Sequence, residues 1–224
     1  MTAEEIVKRV RLALDEQSQA GTDLTDITED EASLTRIILD KISYALTFIL
    51  ENAPVDKLDN DSLTVLTATQ IQNLFAITTD MVGILKLPEN LLRIVEARLS
   101  SWSYFPVPEH DATPTALMQQ DEYARGSWDR PVNIFTHIGT DRVLEMYSAK
   151  TNSDTLNFSY IEKPDVSYVT EDNMDVTNVS VPVKLEAALV YQVAALTMVA
   201  FREEVARTLF SIARSYMGIE QTEE

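Results

Sequence analysis

His110 and His137 are the only imidazoles in the chain, and it has no cysteine. A zinc site gathers three or four nitrogen, thiolate or carboxylate ligands, and this inventory leaves such a site short of donors. His110 sits beside Asp111 in a stretch between Pro108 and Pro114, and His137 falls in a run with strand character. Both read as ordinary loop and sheet residues. No G-x-S-x-G turn presents a nucleophilic serine. The five glycines, Gly21, Gly83, Gly126, Gly139 and Gly218, are too far apart for a loop that cradles phosphate. The acidic run Asp23, Asp26, Glu29, Asp30 and Glu31 lacks the alternate carboxylates, central glycine and distal glutamate of an EF-hand loop. Its i, i+3 spacing suits the start of a helix, where carboxylates favour the helix dipole. Glu203 and Glu204 lie at helical spacing from Arg207 and read as a solvated or subunit-contacting face. No catalytic, cofactor-binding or metal-binding residue is therefore assigned. The candidates for contact are Arg125, Arg130 and Arg142, since arginine is enriched in interfaces.

The elements that position these residues follow from periodicity and capping. Thr2-Ala-Glu-Glu5 forms a capping box, and Ile6, Val10 and Ala13 then mark one face of a first helix, ending near Glu16. Gln17 to Asp26 is polar and reads as a loop. A second capping box, Thr28-Glu-Asp-Glu31, leads into Leu34, Ile37, Ile38, Ile42, Ala45, Leu46 and Ile49, and Pro54 stops that helix. From about Asp61 the period changes. Ser62 to Thr69 and Met81 to Leu87 look extended, and Leu91 to Leu99 fits either a strand or a helix. Trp102 to Pro108 reads as irregular. Thr113-Pro114 opens a short helix that Gly126 closes. Val132 to Ile138 and Val143 to Ala149 form a hairpin across Gly139-Thr-Asp141, and Leu156, Phe158 and Tyr160 mark a third strand. Val166 to Asn178 is polar and acidic, and reads as a loop.

Pro182 to Gly218 contains no internal glycine or proline. Proline suits a first helical position and glycine a left-handed terminus. One straight helix of that length would span about 50 Å. The apolar stripes Leu185–Leu196 and Val205–Tyr216 are separated by the charged Phe201-Arg-Glu-Glu, so a bend or helical hairpin is expected near Val199–Glu203. The apolar part is too short to span a membrane.

The chain has 224 residues, 45% of them apolar, and a net charge of −18. That composition fits a packed globular protein and argues against a grip on nucleic-acid phosphates. The N-terminal sequence MTAEEIVKRV does not read as a secretory signal, so synthesis in a cytoplasm is expected. The expected organisation is α+β and mainly α. Residues 1–60 form an N-terminal helical pair, 61–181 a central β-rich insertion with one short helix, and 182–224 a C-terminal helical pair with an acidic tail.

Several stretches, in order, resemble head-to-tail adaptor proteins of tailed bacteriophages: MTAEEIVKRVRLALDEQ, DEASLTRIILDKISYALTFIL, LPENLLRIVEARL, RPVNIFTHIGTDRVLEMYSA, LNFSYIEKP and VPVKLEAALVYQVAALTMVAFREEVARTLFSIARSYMG. The likeness covers nearly the whole chain by pattern and order, and is greatest to ring proteins of short-tailed, crAss-like phages. It implies a four-helix bundle, two N-terminal and two C-terminal helices, with a projecting antiparallel β-hairpin or sheet region. It also implies a non-enzymatic structural virion protein without cofactor. About a dozen copies would form a homo-oligomeric ring under the portal protein at the head–tail junction. That ring would extend the DNA channel and offer a platform to tail or further ring proteins, with DNA passing unbound. Residues 61–87 are longer than the family's link and would add a contact surface. Gly218, Ile219 and Glu220 begin an acidic tail too short to fold alone, expected to order on docking to the portal. The alternatives are a non-enzymatic helical scaffolding or regulatory module, and an enzyme with a carboxylate site.

Overall fold

The computed structural model describes residues 1–19, 31–166 and 169–219. The acidic run from Asp23 to Asp30, the capping residue Thr28 and Glu220 lie outside them. The chain divides into two compact units. One comprises residues 1–63 and 163–224, the other residues 64–162.

The first unit is helical. α1 (Ala3–Gln19) begins where Thr2 Oγ1 accepts the backbone N–H of Glu5 at 3.1 Å. Its next orphan donors are met by main chain rather than water: Ala3 N donates to Thr177 O and Glu4 N to Met174 O. These contacts place the 174–178 loop over the start of the helix and satisfy groups that every helix N-terminus leaves open. α2 (Glu31–Asn52) buries Ile38, Ile42, Ala45, Leu46 and Ile49 and ends two residues before Pro54. After a 3-10 turn at Val183–Leu185 come α5 (Glu186–Met198) and α6 (Glu203–Met217). α5 is apolar on nearly every side and packs against α1, α2 and α6. A helix apolar all round must be buried all round, so α5 forms the centre of this unit. α6 is amphipathic and buries only Ala206, Leu209, Ala213 and Met217.

The reversal between α5 and α6 falls at Val199–Arg202 without glycine or proline. Phe201 N and Arg202 N both return to Met198 O, and Arg202 is extended (φ −147°, ψ 94°) ahead of α6. The change from an all-apolar to a two-sided sequence explains it: a straight continuation would carry the polar face of α6 into the site that α5 fills. Tyr191 then stacks on Tyr216 with ring centroids 5.5 Å apart. Gly218 closes α6 in the left-handed conformation, φ 76°.

The second unit holds two sheets. β1 (Thr64–Val65), β8 (Leu156–Glu162) and β4 (Leu91–Leu99) form one, in that order. The other runs β2 (Phe75–Ile77), β3 (Val82–Lys86), β7 (Asp141–Tyr147), β6 (Val132–Ile138) and β5 (Glu109–His110). All pairings are antiparallel except β5 with β6. Leu85, Leu144 and Met146 from the five-stranded sheet share one buried cluster with Ala97, Leu99, Leu156, Phe158 and Tyr160 from the three-stranded sheet. Asn133, fully buried on β6, ties the sheets further by donating Nδ2 to Ala97 O (3.1 Å) and Pro106 O (3.2 Å).

This architecture overturns the expected mainly α four-helix bundle with a projecting hairpin. The described residues form six α-helices and two open sheets of three and five strands. The reason is the apolar content of the middle segment, which suffices for a core of its own. The third expected strand, β8, pairs with β1 and β4 rather than with the hairpin. Residues Ser62 to Thr69 are only briefly extended, because Thr67 and Gln70 make a reciprocal capping box that starts α3 (Ala68–Leu74). The helix expected from Thr113 to Gly126 is α4, Pro114–Met118 only.

Candidate functional site

α4 stops early because a side chain takes over from the helix ladder. Gln119 is 6% exposed; its Nε2 donates to Thr115 O at 2.8 Å and its Oε1 accepts from Gly126 N at 2.7 Å. One amide thus folds residues 114–126 into a closed lobe. Gly126 leaves room for the clamp, since a Cβ there would crowd Val132 Cγ2 at 3.0 Å and Arg130 O at 3.2 Å. Ser148 Oγ donates to Gly126 O at 2.8 Å and secures the lobe to the end of β7. A tight turn follows, in which Ser127 and Arg130 exchange backbone hydrogen bonds.

With that turn the lobe spans residues 114–130, and its large apolar side chains face water. Leu117 is 59% exposed, Met118 55%, Trp128 45% and Tyr123 98%. Two cation–π contacts border them: Arg125 lies over the Tyr147 ring at 5.1 Å, and Lys150 Nζ over Trp128 at 4.3 Å. Tyr147 donates its hydroxyl to Glu145 at 2.6 Å. Burial, then the bond to Glu145 and its charge, push that phenol well above its ordinary value, with Arg125 opposing.

The expected contact residues therefore separate. Arg125 and Arg130 share the lobe. Arg142 stands at the other end of β7, five residues from Tyr147 and about 17 Å along the strand. Gly218 and Ile219 belong to the helical unit, where Gly218 N donates to Ser215 O and Ile219 N to Arg214 O.

A second locus surrounds Arg142. Side chains alternate along β6, so Phe135 and His137 share a face. Register places Leu144 opposite Phe135 and Arg142 opposite His137. Leu144 is fully buried, so this face runs from the core outward to an open end near the hairpin turn. There a cleft of about 250 Å³ opens. Leu87, Leu91, Leu92 and Phe135 give it an apolar wall, and His110, Asp111, Thr136, His137 and Arg142 line the rest. The parallel pairing sets His110 beside Phe135, ring centroids 5.8 Å apart, in the cleft that His137 also lines. Arg142 Nη2 donates to Pro88 O at 3.3 Å, and Thr136 Oγ1 to Asp111 Oδ2 at 3.5 Å. Among the described residues no three His, Asp or Glu side chains converge closely enough to hold a metal ion.

Treating the histidines separately missed this convergence. Its cause is a two-residue parallel bridge, β5 to β6, for which the sequence carries no periodic signal. In the helical unit a smaller groove of about 170 Å³ lies between α1 and α5, lined by Leu12, Ala13, Val190 and Tyr191. Arg9 at its rim pairs with Glu5 and Glu186. No helix among the described residues is long and apolar enough to cross a membrane. No protein-family model matches the chain, and no curated protein matches its sequence.

Proposed function

We propose that this chain is a structural subunit that works by contact: a head-to-tail adaptor of a tailed phage. About twelve copies would form a ring beneath the portal, extend the DNA channel and give tail proteins their platform. The observation that carries the reading is the lobe at residues 114–130. It exposes Leu117, Met118, Tyr123 and Trp128 on a polar clamp, with Arg125 and Arg130 among them. Tryptophan, tyrosine and arginine dominate the energetics of protein interfaces, and a monomer gains nothing by presenting them together. The sequence likeness to adaptor proteins, in segment order, supplies the class of assembly.

Charge supports the same role. Residues 1–63 and 163–224 hold 24 acidic against 11 basic residues, a net −13, while residues 64–162 hold 12 against 7, a net −5. An acidic surface repels the phosphates of passing DNA rather than trapping them.

The test is to mix the purified chain with its cognate portal particles and image the product by electron microscopy. A ring of about twelve subunits capping the portal is expected, by the family likeness, and the double variant Tyr123→Ala, Trp128→Ala should lose it. A chain that leaves the portal bare at high concentration would overturn the reading.

A further inference from the structure

We propose that the cleft at the open end of the five-stranded sheet binds a monocarboxylate carried on an apolar body. Three features of the cleft define that ligand. Arg142 supplies the charge: among the described residues its guanidinium makes no ion pair and one hydrogen bond, to Pro88 O, which holds it at the rim with its other N–H groups unspent. A guanidinium fork matches the two oxygens of a carboxylate. His110 and His137 stand beside it, and neither imidazole has a hydrogen-bond partner among the described residues, so both are available as further donors.

Asp111 selects against higher charge. Its carboxylate is held in the lining beside Thr136 and repels any anion, but it repels a dianion such as phosphate about twice as strongly as a monoanion. The wall of Leu87, Leu91, Leu92 and Phe135 then rewards an apolar group attached to the carboxylate. Leu87 is 6% exposed and Leu91 and Leu92 are half-buried, so this wall is firm backing continuous with the core. A cleft of about 250 Å³ takes one ring or one branched aliphatic chain, not a nucleotide. The same chemistry is offered by a free aromatic or aliphatic acid, and by a glutamate flanked by apolar residues on a partner protein.

The two histidines are the only ones in the chain, so their ring C–H resonances report on this cleft and nowhere else. The full chain is titrated with benzoate, with the tripeptide acetyl-Leu-Glu-Leu-amide, with benzamide and with inorganic phosphate. Saturable shifts of both histidine signals are expected with benzoate or with the tripeptide below about 10 mM. Benzoate alone identifies a free acid, and the tripeptide alone a partner's side chain. Arg142→Met should weaken that binding by about tenfold or more, the usual weight of a charge-assisted bond, whereas Arg130→Met should leave it unchanged. Since Arg142 is exposed, the variant's unaltered tryptophan fluorescence serves as the check that it is folded. The proposal is overturned if neither carboxylate saturates, if benzamide or phosphate binds as tightly, or if a folded Arg142→Met variant binds undiminished.

Discussion

Asn133 offers the sharpest test of how the two sheets are joined. It is fully buried, its Nδ2 reaches two main-chain carbonyls at 3.1 and 3.2 Å, and its own Oδ1 has no partner among the described residues. Replacing it with alanine removes two hydrogen bonds of about 1 kcal/mol each and strips the donor from two acceptors, at about 1–3 kcal/mol for each left dry. Those desolvation costs already contain the lost bonds, and the change also removes one orphan oxygen of similar cost, so the net loss is about 1–3 kcal/mol. Asn133→Asp is worse at neutral pH. It sets a buried carboxylate against two carbonyl oxygens, and an uncompensated buried charge costs about 3–5 kcal/mol. Burial raises that carboxyl's pKa in the folded state above its unfolded value. The acid variant's stability is therefore greatest at low pH, where a protonated carboxyl donates one bond, and falls as pH rises. Both tryptophans, Trp102 and Trp128, lie in residues 64–162, so urea denaturation followed by their fluorescence reads this unit alone. An alanine variant within about 0.5 kcal/mol of the parent, or an aspartate variant more stable than alanine at pH 7, would refute this account.

The remaining expectations concern other joints of the fold. Tyr160 donates to Glu162 at 3.2 Å, and burial, then the charge and bond of Glu162, push its phenol up to about 12. Because the folded value exceeds the unfolded one, the stability it confers is complete below about pH 10 and is lost as pH rises towards 12. Phenolate absorbance should show a late-titrating tyrosine that Glu162→Gln moves earlier. Gln119→Ala opens the lobe without touching the core. Losing about 1–2 kcal/mol of clamp should speed hydrogen exchange at the Gly126 amide by roughly 5- to 30-fold, and unchanged exchange would show that the clamp is idle. Gly218→Ala should cost about 1–2 kcal/mol through its left-handed backbone alone, since the nearest side-chain atom, Lys57 Cε, would be 3.5 Å from the new Cβ. Thermal melting of the helical signal reads that loss.

What could be read along the chain was whatever neighbours in sequence decide. Thr2, Pro54 and Gly218 mark helix ends through local backbone chemistry. The hairpin of β6 and β7 follows from alternation around a glycine turn, Gly139 at φ 65°. The reversal near Val199 follows from the charged Phe201-Arg-Glu-Glu that separates two apolar stripes. The rest depends on distant partners. Leu91–Leu99 fits a strand or a helix until it pairs with Leu156–Glu162, more than fifty residues away. The Thr67–Gln70 capping box was legible in principle, since threonine three residues before glutamine is a start signal, but the β-branched run around it favoured a strand. α4 is short because Gln119 bonds across to Gly126, which no helical period encodes. The cleft combines both limits: Arg142 stands out as an interface candidate beside the hairpin, while His110 reaches the cleft only through a two-residue parallel bridge.

The exposed lobe also bears on how a ring would form. Covering Leu117, Met118, Tyr123 and Trp128 at their observed exposures is worth roughly 4–8 kcal/mol, taking about 1.5–3 kcal/mol for each fully buried side chain. Fixing one free protein against another costs about 4–15 kcal/mol in lost motion. A single lobe contact between two free copies therefore comes out weak, and isolated subunits stay apart at modest concentration. A platform changes the balance, because a subunit already held by one contact forms the next within the same assembly, at an effective concentration set by geometry rather than by solution. The contact between copies is heterologous if the lobe meets a different surface of its neighbour, and heterologous contacts close into rings when the rotation permits. Analytical ultracentrifugation of the chain alone should then show monomer at micromolar concentration, with rings appearing only on the platform. Stable rings formed by the free chain that survive Tyr123→Ala, Trp128→Ala would mean that another surface drives assembly.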